Sequence, residues 1–520
     1  MKEDSADSAA SSNQTTTTHE LLLSSTTTSP PTLLAQNEKP LAALTPDGIE
    51  PQNEKTLWQQ LLPVVACGAG LFSDGYINNV IGSVITVLAI QYGPLWSNST
   101  AKSYLSAIAF AGTVVGQLLF GYLSDKWSRT NSLLLSTLIL ILFTALSTGS
   151  YYKGDAVGMF NVLTAWRFFV GIGIGGEYPA GSVAAAESSG ELKKGTRNMW
   201  FILFTNSMID WGFVVGAFVP WVVAAACHNT NLETIWRTSL GIGVVFPLSL
   251  FVMRFFLKEP EEFQKNSMKY ARTPYKLVFR FYGWRLFIVS FIWFLYDFSA
   301  YSFSIYSSTI LANIFDKDSA PLTTVFGWNT VINLFYIPGT MMGAPVSDWL
   351  GPKKALAVGV MLQGFVGFVM AGCYPLLARP EVVGGFAVVF GVFQSLGELG
   401  PGNNIGVLAA KTCATGVRGQ YYGVAAAVGK LGAFVGTYVF PYIVEAGGES
   451  EVLSAQYPFY VSSAGCVLSA VLCWFWVPRV EQDTIRDEDE RFRAFLEGNG
   501  YDTAQLGLRK DGSVLVEEAK

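Results

Sequence analysis

From about residue 58 the chain alternates between long apolar runs and short polar joints. Twelve runs can be marked, near 60–92, 101–124, 131–152, 158–187, 198–226, 236–257, 284–313, 322–350, 352–377, 382–411, 418–447 and 455–478. A helix rises 1.5 Å per residue, so about 20 apolar residues cross a hydrocarbon core roughly 30 Å thick, and each run is long enough. The pattern predicts an all-α membrane protein with twelve transmembrane helices in two six-helix halves. Residues 1–57 form a contrasting Ser/Thr/Pro-rich leader with TTTT and SPP, too poor in apolar side chains to fold alone. Its LLL at 21–23 is too short for the core of a signal peptide. The expected organisation is a disordered N-tail over 1–57, a first half over 58–258, a central loop over 259–283, a second half over 284–478 and a C-tail over 479–520. That tail contains EQDTIRDEDERFRAF, which reads as a short amphipathic helix.

Composition agrees: 51% of the 520 residues are hydrophobic, 14% are charged and the mean hydropathy is +0.36. A soluble domain is nearer a quarter charged. The net charge of −5 matters less than where the bases lie. Lys126 and Arg129 occupy one joint, Lys193, Lys194 and Arg197 another, and the central loop adds a further cluster including Lys265, Lys269, Arg272 and Lys276. Alternate joints are poor in bases, which predicts cytoplasmic termini by the positive-inside rule. Asn98-Ser99-Thr100, a glycosylation sequon, then falls in the first external loop. Asn13-Gln14-Thr15 is a second, chance match in the leader. The six cysteines are scattered with no CxxC pair, and the two histidines are His19 and His228. This pattern indicates neither metal site nor disulfide framework, no cofactor is expected, and no nucleophile–base pair suggests an enzyme. A proton relay inside the membrane would therefore run through carboxylates.

Candidates stand out because they interrupt apolar runs: Asp74 in GLFSDGYINN, Asp297 in FIWFLYDFSAYSF, Glu177 in GIGIGGEYPAG and Lys430 in AAAVGKLGAFVG. A charge at a helix centre costs roughly 2.5 to 3.5 kcal/mol on insertion scales, so it is expected to line a polar cavity or to pair. Trp293, Asp297 and Tyr301 recur at i, i+4, i+8 and share one helical face. An interfacial Trp and Tyr around a merely paired Asp297 is the bland alternative, as is a permanent Lys430–Asp297 ion pair without transport. Asp74 could equally be a helix-end cap. Gly171, Gly173 and Gly176 satisfy G-x-G-x-x-G, but they continue an apolar helix instead of following a strand, so they read as small residues for helix packing.

The halves repeat a motif. GYLSDKWSRT (Gly121, Asp125, Lys126, Arg129) follows the second run, and GAPVSDWLGPKK (Gly343, Asp348, Gly351, Lys353) follows the eighth. Both resemble the gating loop of the major facilitator superfamily, in which the glycine permits close helix approach and the aspartate caps and pairs across a neighbouring helix. Ser128 replaces the motif's central glycine in the first copy, which is expected to loosen that turn. Further, WRFFVGIGIGGEYPAGSVAAAE, the W-x-x-x-D-x-x-x-Y of Trp293, Asp297 and Tyr301, and GKLGA at 429–433 resemble the phosphate:proton symporter branch of that superfamily. SDGY at 73–76, GEYP at 176–179, GPG at 400–402 and VRGQYYG at 417–423 are similar to its fungal glycerophosphoinositol permeases, over about 58–500.

The resemblance implies that Tyr178, Trp293, Asp297, Tyr301 and Lys430 contact the cargo phosphate, and that Asp74, Glu177 and Asp297 couple protons. Protonation of Asp297 and phosphate binding should favour each other, since an ionised carboxylate repels the anion. Arg167 and Glu187 flank the signature and are expected to be structural, near the cytoplasmic ends. Departures from the phosphate carriers point to a different cargo. Asp210 replaces their Gln, Glu398 their Asn, and Gly402 is expected to open room, with Asn403 and Asn404 beside it. Lys411 reads as a topogenic charge. Acid and amide groups suit extra hydroxyls or a cationic head. The expected function is a monomeric, proton-coupled importer of glycerophosphodiesters at a fungal plasma membrane, binding neither nucleic acid nor cofactor. Inorganic phosphate is the alternative cargo, and a non-transporting nutrient sensor the alternative class.

Overall fold

The computed structural model describes residues 56–314, 321–377, 379–481 and 484–507; the expectations for the leader and for the last residues of the C-tail lie outside them. Among the described residues, eleven helices are long and apolar enough to cross a membrane. They are α1 (Leu57–Tyr92), α2 (Ser103–Lys126), α3 (Arg129–Thr148), α4 (Ala156–Ser188), α5 (Arg197–Ala226), α6 (Leu232–Arg254), α7 (Tyr275–Leu311), α9 (Pro352–Leu377), α10 (Val383–Lys411), α11 (Thr415–Glu445) and α12 (Glu451–Trp476). The remaining span, α8 over 322–350, is two shorter helices that meet at Phe335. Pro338 explains the break: it has no N–H to offer the carbonyl of Leu334, and its ring crowds that carbonyl. A further helix, α13 (Thr484–Gly498), follows the last span.

α4 and α10 share a second irregularity at corresponding places in the two halves. Each widens into a π-turn, Glu177–Ser182 in α4 and Glu398–Gly402 in α10, and each turn begins with Glu and contains a proline. The proline removes one rung of the α ladder, and the wider turn absorbs the extra residue.

The motif-bearing joints lie together on what is here called the basic face, and there each motif aspartate caps a helix of the other half. Asp125 accepts from the backbone N–H of Gly419 at 2.9 Å and of Gln420 at 2.8 Å, at the start of α11. Asp348 accepts from Asn198 at 3.2 Å and Met199 at 2.9 Å, at the start of α5. A carboxylate beside free N-terminal N–H groups satisfies both orphan donors and the positive end of the helix dipole. Gly121 permits the approach, since a Cβ there would come 2.9 Å from the Gly419 carbonyl. Lys126 donates to the carbonyls of Met268 and Ala271, and Gly343 packs against Leu399 of α10. Gly351 takes φ +82°, a conformation that favours glycine, whereas Ser128 is extended at φ −175°. The first copy therefore needs no glycine, and the expected loosening is corrected: Ser128 caps α3 by accepting from Asn131 N–H and donates to Glu259. Lys353, at the start of α9, offers its carbonyl to the Cys473 thiol.

Behind these caps Glu187 accepts from Arg129 of α3 at 3.1 Å and Arg418 of α11 at 3.0 Å, all three buried. Lys411 corrects a second expectation. Far from being an exposed topogenic charge, it is 1% exposed and donates to Asn198 Oδ1 at 2.6 Å. α13 covers this assembly. Phe492 and Leu496 pack with Met268, Tyr282 and Tyr421, and Asp489 accepts from the N–H and hydroxyl of Thr415.

The halves also meet on the opposite face, where Asn79 donates to Asn333 Oδ1 at 2.6 Å and Asn229 accepts from Thr323 N–H at 3.1 Å. Contact on both faces makes this an occluded arrangement. Asn98 is exposed on that opposite face, at the end of the short helix Pro94–Ser97.

Candidate functional site

Between the two closed faces lies a cavity of about 50 Å³, lined by α1, α4, α5, α7, α10 and α11. Its charged lining residues, among those described, are Asp210, Asp297, Glu398 and Lys430. They sort into two poles.

The cationic pole is built on Lys430. Its Nζ lies 3.5 Å from Asp297 Oδ2 and 3.6 Å from Asp74 Oδ2, and the lysine and both acids are no more than 2% exposed. The ammonium sits over the Tyr301 ring at 3.6 Å and the Tyr178 ring at 4.9 Å. Both tyrosines turn their hydroxyls to Asp74: Tyr301 donates to Oδ2 at 3.0 Å, and Tyr178 makes a shorter bond to the same oxygen. Asn78, one turn on from Asp74, donates to Oδ1. Trp293 meets Tyr422 edge-on, with centroids 5.5 Å apart, and Gly429 leaves room for its indole. The sequence thus brings Asp74, Tyr178, Trp293, Asp297, Tyr301 and Lys430 into one cluster drawn from four helices. Asp74 is no helix-end cap, and Asp297 and Lys430 are paired within the cavity wall.

The acidic pole lies across the cavity. Glu398, on the π-turn of α10, accepts from Tyr296 hydroxyl at 2.7 Å and from Asn206 amide at 2.9 Å. The same Asn206 amide reaches Asp210 Oδ2 at 3.4 Å and Asn403 Oδ1 at 3.0 Å. Asn403 is further held by Thr340, whose hydroxyl donates to it at 2.7 Å. Tyr296 and Asp297 are neighbours on α7, about 100° apart around its axis, so this one helix touches both poles.

Several expectations are corrected by position. Glu177 does not line the cavity. It forms a two-pronged ion pair with Arg254 of α6, with 2.7 Å on each side, and also accepts from Ser136 and Thr137. Four hydrogen bonds from these three residues satisfy the carboxylate locally. Asn404 turns into its own helix and donates to the Gly400 carbonyl at 2.7 Å. Gly402 opens no room for cargo: a Cβ there would lie 2.0 Å from Glu398 Oε2 and 2.8 Å from the Tyr296 hydroxyl, so the glycine makes space for the glutamate. Arg167 lies well inside α4 instead of near its basic-face end, and donates to the carbonyls of Leu105 and Ile77. Glu187 does sit at the basic face, in the arginine network described above.

Sequence reasoning missed Asn206, Tyr296, Tyr422 and Arg254. Asn206 precedes Asp210 by one helical turn, the one local signal that could have joined them.

Comparison with known proteins follows the same division into halves. The family model described as sugar (and other) transporter matches residues 62–266 and again 260–492. The chain belongs to this family. A glycerophosphocholine permease of Candida albicans is 48% identical over 87% of this chain and 84% of its own length. A glycerophosphodiester transporter of the same organism is 47% identical over 91% and 89%. The glycerophosphoinositol transporter 1 of Saccharomyces cerevisiae is 32% identical over 88% and 86%. Among solved structures, the proton:xylose symporter XylE bound to 6-bromo-6-deoxy-D-glucose superposes with a TM-score of 0.67 at 15% identity, covering 84% of this chain and all of its own. As a member of the sugar transporter family with the major facilitator fold, the chain is a multi-pass membrane transporter, and its two-pole cavity lies at the interface of the halves.

Proposed function

We propose that this transporter imports glycerophosphodiesters, glycerophosphoinositol or glycerophosphocholine or both, together with protons, across a fungal plasma membrane, with the basic face and both termini cytoplasmic. The observation that carries this reading is the pairing of one cationic pole with one acidic pole in a single cavity. Lys430 suits a phosphate of about one negative charge, and the tyrosine hydroxyls around it can donate to the same anion. Asp210 and Glu398 suit what a diester adds beyond phosphate: hydroxyl donors or a quaternary ammonium. Inorganic phosphate carries between about one and two negative charges near neutral pH and would meet repulsion at the acidic pole. The names of the Candida and Saccharomyces relatives support the same cargo class.

A small-molecule site is typically about 300 Å³ or more, so the halves must part from the present 50 Å³ cavity to admit cargo. The protein then works by alternating access around a site at the interface of its halves. Entering phosphate displaces Asp74 and Asp297 from Lys430, and an acid that loses its cation binds a proton more readily. Cargo and proton therefore promote each other's binding, the coupling a symporter needs. One chain holds the whole cavity, which supports a functional monomer. The test is uptake of labelled glycerophosphoinositol in transporter-null cells, with competition by unlabelled diesters and by phosphate. Diesters should compete strongly and phosphate weakly. Competition by phosphate alone would replace this reading with a phosphate carrier, and binding without accumulation would replace it with a sensor.

A further inference from the structure

We infer that Asp210 and Glu398 form a second proton site whose proton is interchangeable with a cationic head group, so that the number of protons moved depends on the cargo. This rests on the diester reading above. The two carboxyls come from opposite halves, α5 and α10, and are 0% and 3% exposed. Both line the same cavity and both accept from one amide, that of Asn206, at 3.4 Å to Asp210 Oδ2 and 2.9 Å to Glu398 Oε2. Two buried carboxylates sharing one neutral donor repel each other when both are ionised, which favours a proton on one of them. Asp210 Oδ1 has no hydrogen-bond partner although it is fully buried.

The surroundings supply no substitute for that proton. Tyr296 and Asp297 face the pair from α7, Asn206 from α5, Tyr336 and Thr340 from α8, and Asn403 from α10. These are neutral groups and one further acid. Among the described residues no Lys, Arg or His pairs with either carboxyl, and Lys430 is held by Asp74 and Asp297. Closing the halves brings both acids into one water-poor cavity with only neutral donors beside them, and a cation there relieves their repulsion. In the absence of cargo that cation is a proton.

The two cargo types differ at this point. A glycerophosphoinositol carries about one negative charge and brings hydroxyls, which donate to the pair and leave its proton in place. Glycerophosphocholine is a zwitterion whose quaternary ammonium cannot donate a hydrogen bond but is held by carboxylates and aromatic faces. Tyr296 and Phe213 line the same cavity, and Phe213 packs on Tyr336 with the rings 5.1 Å apart. On entry the ammonium takes the proton's place, and the proton leaves to the external water. The empty carrier returns in the same state after either cargo. The loaded step with choline diester therefore carries one proton fewer, while its cargo carries one negative charge fewer. Net charge moved per cargo is then the same, and proton count differs by one.

The experiment uses the purified full chain in proteoliposomes, with labelled cargo, an internal pH dye and reversal potentials read together. Glycerophosphoinositol should bring in one more proton per molecule than glycerophosphocholine, at equal net charge. In Glu398→Gln the amide donates to Asp210 permanently, so the counts should become equal and choline diester uptake should fall more than inositol diester uptake. Equal proton counts in the unmodified protein would overturn the inference, and so would a difference that survives in Glu398→Gln. The first comparison needs no variant, so a folding defect cannot mask it. Uptake of neither diester would overturn the transport reading itself and this inference with it.

Discussion

Lys430 and Asp74, from opposite halves of the chain, stand 3.6 Å apart at the closed centre of the protein. With Asp297 as the second acid, one ammonium is shared between two carboxylates. Removing one partner of a buried ion pair costs roughly 3–5 kcal/mol because the other charge is left uncompensated. Lys430→Ala is therefore expected to lower the melting temperature and to remove most cargo affinity. Lys430→Ala combined with Asp297→Asn should recover part of the stability, since Asp74 still lacks its lysine, but not affinity. Lys430→Arg should not rescue binding, since a planar fork does not fit a pocket shaped around a point charge. Thermal unfolding and cargo titration of the purified variants check this; near-normal affinity in the alanine variant would remove Lys430 as the phosphate ligand.

Asp74 gathers Tyr178, Tyr301, Asn78 and Lys430 on one carboxylate. If it exchanges the transported proton, uptake rises toward acidic external pH and collapses with a protonophore. Asp74→Asn should then bind cargo but fail to accumulate it against a gradient. Uptake indifferent to pH and to the protonophore would end the symport reading.

The caps on the basic face predict a shift in the open–closed balance. Each N-cap is worth about 1 kcal/mol, so Asp125→Ala and Asp348→Ala together should change that balance by about an order of magnitude or more. Spin labels placed across the basic face should report a larger fraction of molecules open there. An unchanged distance distribution would show that the arginine network closes the face without the caps.

The docking of α13 should depend on pH. Burial raises the Asp489 carboxyl to about 6, although Arg418 and Thr415 pull it down. Its pKa is thus higher when docked than in the free chain, near 3.9. The protonated form favours docking, so docking is strongest below about pH 4 and weakens as pH rises through 6. Amide exchange across 484–498, corrected for intrinsic rates, should be faster at pH 7 than at pH 5, and Asp489→Asn should flatten that difference.

Much of this was legible because membranes make charges conspicuous. Asp74, Asp297 and Lys430 stood out as interruptions of apolar runs, and the helical spacing of Trp293, Asp297 and Tyr301 placed them on one wall. The same logic misplaced Glu177, whose partner Arg254 lies 77 residues away at the end of α6 and looked like a boundary charge. Hydropathy read α8 as continuous because Pro338 is apolar, although it breaks the helix. Gly402 looked like empty space, but the folded chain fills it with a nearby acid, an event within one π-turn that composition does not reveal.

The basic-face closure has a lopsided dependence on side chains. Asp125 and Asp348 must each be an acid, yet what they grip is peptide backbone, the amides of Gly419, Gln420, Asn198 and Met199. Almost any residue carries such an amide. Met199 can therefore change without losing its half of the latch, while the two aspartates cannot, and Gly419 must stay small because a Cβ there would lie 2.5 Å from Asp125 Oδ1. A lineage retuning this transporter for new cargo is free to rewrite positions held only through their backbone, provided the two acceptors of closure stay put.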